Sequence, residues 1–117
     1  MAKPIALQMY SLREEAAADL IGTLRKVAEI GYVGVEPDEL QGMRPEEYAR
    51  VASDLGMKVC STWPTALPEN ETMSEFMQQQ RAFGTTIVVL EPDPSEYETV
   101  ETVTGAAAAL EEKARSY

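Results

Sequence analysis

The sequence predicts an α/β fold of four βα units with parallel strands. Three observations carry that expectation. Short apolar runs alternate with stretches whose apolar residues recur at helical spacing, in the order β-α-β-α-β-α-β-α. Three joins share one pattern of an apolar helix end, a glycine and two residues leading into an apolar strand: Ile30-Gly31-Tyr32-Val33-Gly34-Val35, Leu55-Gly56-Met57-Lys58-Val59 and Phe83-Gly84-Thr85-Thr86-Ile87-Val88. A left-handed helix stop followed by a short turn explains each of them. Finally, 117 residues with 44% hydrophobic and 26% charged side chains suit a single globular domain over 1–117. A compact fold of this mass would expose about 6,300 Å² and bury about two-thirds of its unfolded surface.

The elements follow in order. Ile5 to Tyr10 is a short apolar run after Pro4 and reads as the first strand, bounded by Ser11-Leu12-Arg13-Glu14. Asp19 caps a helix with Leu20, Leu24, Val27 and Ala28 on one face, stopped by Gly31. Tyr32 to Glu36 is the second strand. Pro45, followed by Glu46 and Glu47, opens a helix because proline suits its first turn and acids suit its positive end. Tyr48, Val51, Ala52 and Leu55 line its inner face, and Gly56 stops it. Lys58 to Trp63 is the third strand, broken by Pro64. Asn70 caps a third helix with Met73, Phe76, Met77 and Phe83 inward, ending at Gly84. Thr85 to Leu90 is a β-branched fourth strand, expected to be buried on both faces. Pro92 and Pro94 form a loop, and Val100, Val103, Ala107, Leu110 and Ala114 mark a last helix with Gly105 in its middle.

Composition excludes several functions. Twenty acids against ten bases give a net charge of −10, which repels phosphate backbones and anionic lipid, so neither nucleic acid nor membrane is an expected partner. The chain has no histidine and one cysteine, Cys60. Ser-His-Asp and Cys-His nucleophile systems, histidine zinc sites and internal disulfides are therefore ruled out. No apolar run approaches a membrane span, and Met1-Ala2-Lys3-Pro4 starts no signal-like segment, so the expected location is cytoplasmic. Asp, Glu, Lys, Tyr and the lone Cys60 are left for acid–base or nucleophilic chemistry, which points to a carboxylate mechanism or to no catalysis at all.

The same residues resemble the N-terminal half of the sugar phosphate isomerase/epimerase family, the xylose-isomerase-like TIM barrels. The resemblance rests on Ile5 to Arg13, on Gly22 to Tyr32 with Gly34-Val35-Glu36, and on Leu55 to Val59. It implies half of a (βα)₈ barrel, since a complete one takes about 250 residues. It also implies a family site whose divalent-metal ligands are mainly carboxylates and histidines at the ends of the last four strands. Those strands have no counterpart here, and Thr62-Trp63 stands where relatives often place a histidine. The family's metal ligands thus carry over to no named residue. Only weak Mg²⁺ or Mn²⁺ binding is expected, with no tightly bound cofactor.

In this architecture function sits at the C-terminal ends of the strands. The candidates there are Gln8 and Tyr10, Glu36 and Asp38, Thr62 and Trp63, and Glu91 and Asp93. Glu36 matches the family's Gly-Val-Glu strand end, and Glu36 and Glu91 are the candidate bases for proton transfer beside a sugar carbonyl. Tyr10, Trp63 and Gln8 are the candidate contacts to a small carbohydrate; an indole stacks on a sugar face or a partner subunit. The plainer reading makes the acids solvated loop-edge residues and Trp63 a packing residue. A half barrel leaves its first and fourth strands as open edges. Closure by a second copy, as a homodimer or larger even oligomer, is the expected remedy. The alternatives are a non-catalytic homodimeric scaffold or sugar-binding module, and a truncated barrel.

Overall fold

Helical punctuation organises this chain, and three short parallel strands form between the punctuation marks. In a computed structural model, the structure describes residues 2–63, 73–89 and 93–116. Strand β1 is Ala6–Gln8, β2 is Gly34–Glu36 and β3 is Lys58–Val59, in a parallel sheet of order β1-β2-β3. The helices are α1 (Arg13–Ala18), α2 (Leu20–Ile30), α3 (Pro45–Asp54), α4 (Met73–Phe83) and α5 (Val100–Ser116). Single 3₁₀ turns cover Met9–Leu12 and Pro94–Tyr97.

The predicted caps act as such. The Asp19 side chain accepts from the Gly22 amide at 2.9 Å, satisfying one of the free donors that begin α2. Gly31 ends α2 at φ 109°, a left-handed conformation that costs a side-chain-bearing residue about 1–2 kcal/mol. Pro45 occupies the first turn of α3. Helix α1 was not foreseen; Glu14, Glu15 and three alanines favour a helical turn where a loop was expected. The 3₁₀ turn takes Met9 and Tyr10 out of the first strand, because Met9 drops into the core.

Register decides which face does what. Leu7, Val35 and Val59 lie side by side and turn toward the helices. There they join Met9, Leu20, Leu24, Val27, Tyr48, Ala52 and Met57 in one buried cluster. Each such side chain contributes about 1.5–3 kcal/mol relative to leaving it in water. The opposite face carries Ala6, Gln8, Gly34, Glu36 and Lys58, and Ala6, Gln8 and Lys58 are exposed on it. A Cβ on Gly34 would sit 3.1 Å from the Lys58 carbonyl and 3.2 Å from the Ala6 Cβ, so glycine allows the strands their close approach.

Parallel sheets are ordinarily covered on both faces. Among the described residues, this one is covered on one. The chain exposes 8204 Å², against about 6,300 Å² for a compact chain of this mass. The radius of gyration, 15.9 Å, exceeds the roughly 13.4 Å expected for a compact domain of this length.

Two expectations need correction. Over its described residues, 85–89, the fourth run makes an isolated parallel bridge, Thr62 to Val88, and Ile87 is 59% exposed, so these residues are not buried on both faces. Its β-branched residues suit a strand, but no described element packs over Ile87. In α5 the buried residue is Ala106, whereas Val100, Val103 and Ala107 are exposed, so the predicted stripe does not face a core. That stripe has helical spacing, but α5 does not join the main cluster. Asn70, Pro64, Leu90 and Pro92, and the side chains of Met73 and Phe76, lie outside the described residues.

A buried polar knot ties α4 to the third strand segment. The Thr62 hydroxyl donates to the Gln80 side-chain oxygen, and the Thr85 hydroxyl donates to the Cys60 carbonyl at 3.0 Å. Thr62, Gln80 and Thr85 are all buried, so these bonds satisfy groups that water cannot reach.

Candidate functional site

The ends of β1, β2 and β3 converge on one carboxylate. The pairing Gln8 to Glu36 places these two residues side by side at the C-terminal edge of the bare sheet face. The Gln8 side-chain amide donates to Glu36 Oε1 at 2.8 Å. On the other side, the Ser61 hydroxyl donates to Glu36 Oε2 at 2.5 Å. Glu36 and Ser61 are half-buried, whereas Gln8 is exposed. Both carboxylate oxygens are thus engaged, and charge-assisted bonds of this kind fix the side chain's orientation.

Cys60 flanks the cluster. Its thiol donates to the Val35 carbonyl at 3.4 Å and lies 3.5 Å from the Ser61 hydroxyl. Chemically the arrangement offers a held carboxylate, an amide and a hydroxyl along an open face. Such groups suit the alternating donors and acceptors of a polyol.

The structure brings Gln8 and Glu36 together but separates them from the other candidates. Tyr10 is 55% exposed in the 3₁₀ turn, with the Arg13 guanidinium 4.6 Å over its ring, and takes no part in the Glu36 hydrogen bonds. Trp63 is 36% exposed at the end of the third strand segment. Asp38 lies beyond β2, half-buried, and lines a separate cleft. Asp93 caps the second 3₁₀ turn; hydrogen bonds from the Ser95 hydroxyl and amide hold its carboxyl below the usual carboxylate range. Glu91 lies outside the described residues. Ser61 is the member that sequence reasoning missed. Its signal was present, since it directly precedes the candidate pair Thr62-Trp63 in the third strand run.

The donor set fits a divalent cation poorly. Among the described residues, no group of three or more cysteines, aspartates and glutamates is placed to hold a metal ion. Glu36 supplies one carboxylate, whose two oxygens each accept a hydrogen bond, whereas a hard divalent cation takes about six oxygen ligands. No helix among the described residues is long and apolar enough to cross a membrane.

The fold is mixed α/β with a three-stranded parallel sheet and five helices among the described residues. It is similar to the crystal structure of a sugar phosphate isomerase/epimerase from Parabacteroides distasonis, with a TM-score of 0.61 at 22% sequence identity. The match covers 80% of this chain and 40% of that one, so the chain spans about two-fifths of that protein's length. At this identity the likeness is one of fold, and at that level it agrees with the resemblance carried by the strand-end motifs. No protein-family model matches the chain, and neither does any curated protein.

Proposed function

We propose that this chain is four βα units of a sugar isomerase/epimerase-like barrel, that a second copy completes the barrel, and that the Gln8–Glu36–Ser61 cluster binds the hydroxyls of a small carbohydrate. The observation that carries this reading is the position of Glu36. It stands at a strand's C-terminal end, on a parallel sheet face left bare, held by side chains from both neighbouring strand segments.

Surface area supports a second copy as the occupant of that face. The chain exposes 8204 Å², about 1,900 Å² more than a compact one of its mass would, and surface of this kind is what association covers. The exposed edge of β1 and the 85–89 segment are the edges such a pairing would join.

In the assembled form Glu36 takes a proton from the carbon beside the sugar carbonyl, while Gln8 and Ser61 fix the sugar and the carboxylate. Each Glu36 oxygen accepts one hydrogen bond and keeps a second lone pair for the incoming proton. A second reading is a sugar-binding module without catalysis, in which the same three side chains only hold the hydroxyls. Glu91 extends the proposal as a further carboxylate from the fourth segment, and any Mg²⁺ or Mn²⁺ binding is weak.

Proton exchange in D₂O separates the readings. The protein is incubated with a panel of aldose and ketose phosphates and the proton beside the carbonyl is followed by NMR. Loss of that signal with the wild-type protein, abolished in Glu36→Gln, supports the enzyme. Saturable sugar binding without exchange supports the binding module, and neither binding nor exchange removes the carbohydrate assignment.

A further inference from the structure

Helix α5 carries an apolar seam that its own chain leaves unused. Val100, Val103, Ala107, Leu110 and Ala114 recur at alternating spacings of three and four, the repeat with which a helix lines up against a neighbour. Yet Val100 is 80% exposed, Val103, Ala107 and Ala114 are exposed with it, and Leu110 is half-buried.

The far edge of the sheet shows the complementary defect. Ile5, directly before β1, is 63% exposed, and Ile30, which ends α2, is 76% exposed. Ile5 shares the alternation of Leu7 and so belongs to the helix-covered side of the sheet. The Val33 amide donates to the Ile5 carbonyl at 3.0 Å, which holds the turn after Ile30 against this edge.

Topology matches the two. Right-handed crossovers set α2 over the groove between β1 and β2, and α3 over the groove between β2 and β3. By the same rule α5 belongs over a groove between the 85–89 segment and a strand beyond it. Among the described residues no strand follows α5, and no helix precedes β1. A second copy supplies both parts, since its β1 is the strand that α5 lacks and its α5 is the helix that β1 lacks.

Charge favours the same partner. Lys3 and Lys26 are exposed and make no ion pair among the described residues. Lys26 lies four residues before Ile30, on the same flank of α2. Glu111 and Glu112 are exposed on α5 beside Leu110. A basic edge and an acidic helix at opposite edges of the fold attract each other between copies.

We propose that α5 of one copy packs along the β1 edge of the other, its seam covering Ile5 and Ile30 and its Glu111–Glu112 end facing Lys3 and Lys26. Two-fold symmetry forms the contact twice. It rests on the second-copy reading above and adds an outer helix contact to the pairing of strand edges.

The test measures association of the full chain by sedimentation equilibrium, with folding checked by circular dichroism. Val103→Asp and Ile30→Asp replace exposed residues, and each should weaken the dimer by about 100-fold, since a carboxylate is then buried at both contacts. Ala108→Asp, exposed on α5 outside the seam, should leave the dimer unchanged. In a Cys60→Ser background, Ala107→Cys with Ile30→Cys should give a dimer cross-linked by a short bismaleimide, and neither single variant should. A dimer indifferent to Val103→Asp or to Ile30→Asp would overturn this contact and leave the second-copy reading standing. An equal loss in Ala108→Asp, no cross-link in the double variant, a link through Ala107→Cys alone or a link within one chain would do the same. A monomeric wild-type protein would overturn both.

Discussion

Replacing Tyr48 with phenylalanine should stabilise this protein, which is unusual for a change at a fully buried position. The ring does the packing. It is completely buried in the core and meets Phe83 edge-on, with centroids 6.1 Å apart and planes at 82°. Phenylalanine keeps that contact. What it removes is a hydroxyl taken from water without a partner, whose burial costs about 1–3 kcal/mol. Allowing for the small void left behind, the expected gain is about 1 kcal/mol. For 117 residues the unfolding entropy is about 0.25 kcal/mol/K, so the melting temperature should rise by about 4 °C. In urea, with a slope of about 2 kcal/mol/M, the midpoint should move up by about 0.5 M at unchanged slope. Trp63, the single tryptophan, reports the transition.

The pH dependence gives a second readout of the same variant. The folded protein holds the Tyr48 pKa above its ordinary value of 10.0, through burial first and Asp38 second. Below pH 10.0 both states keep the proton, and this group leaves stability independent of pH. Above it the unfolded chain ionises first, so stability falls as pH rises, by up to about 1.4 kcal/mol per unit. Tyr48→Phe should lose this component of the alkaline slope. A variant that is destabilised by about 1 kcal/mol at neutral pH would refute the reasoning, since the hydroxyl would then be holding a partner.

Two further substitutions probe the scaffold. Thr62→Val should cost about 1–3 kcal/mol by orphaning buried Gln80, while the Thr62→Val, Gln80→Leu pair should recover most of that loss in urea titrations. Asp19→Ala should cost about 1 kcal/mol by removing the α2 cap. Gly22→Ala should bring no helix-propensity gain, because its Cβ would fall 2.1 Å from the Asp19 carboxylate oxygen and displace the cap; thermal melts of both variants check this.

The helical punctuation was readable because it depends on local chemistry. Gly31, Gly56 and Gly84 all adopt positive φ where the repeated join placed helix stops, and Asp19 and Pro45 begin helices for reasons local to each. Strand lengths were not readable, because they depend on distant neighbours. The 3₁₀ turn at Met9 shortened the first strand, and the fourth run makes one bridge with Ile87 left uncovered. The same limit applied to the site. Glu36 and Gln8 were legible as strand-end residues, but their contact is a matter of register between β1 and β2. Ser61 joins them from 25 residues away, a distance that no local pattern encodes. The unpartnered Tyr48 hydroxyl was invisible for the same reason: its spacing announced a core residue, and only the packing around it leaves the hydroxyl alone.

A second copy of the chain is proposed to cover the bare sheet face, and the mass in solution is the direct test. Sedimentation equilibrium at micromolar concentration should give twice the 12.9 kDa of one chain, or a higher even multiple. Two chains of net charge −10 repel, so added salt should tighten the association. A folded, stable species of 12.9 kDa, unchanged by concentration and salt, would contradict the claim.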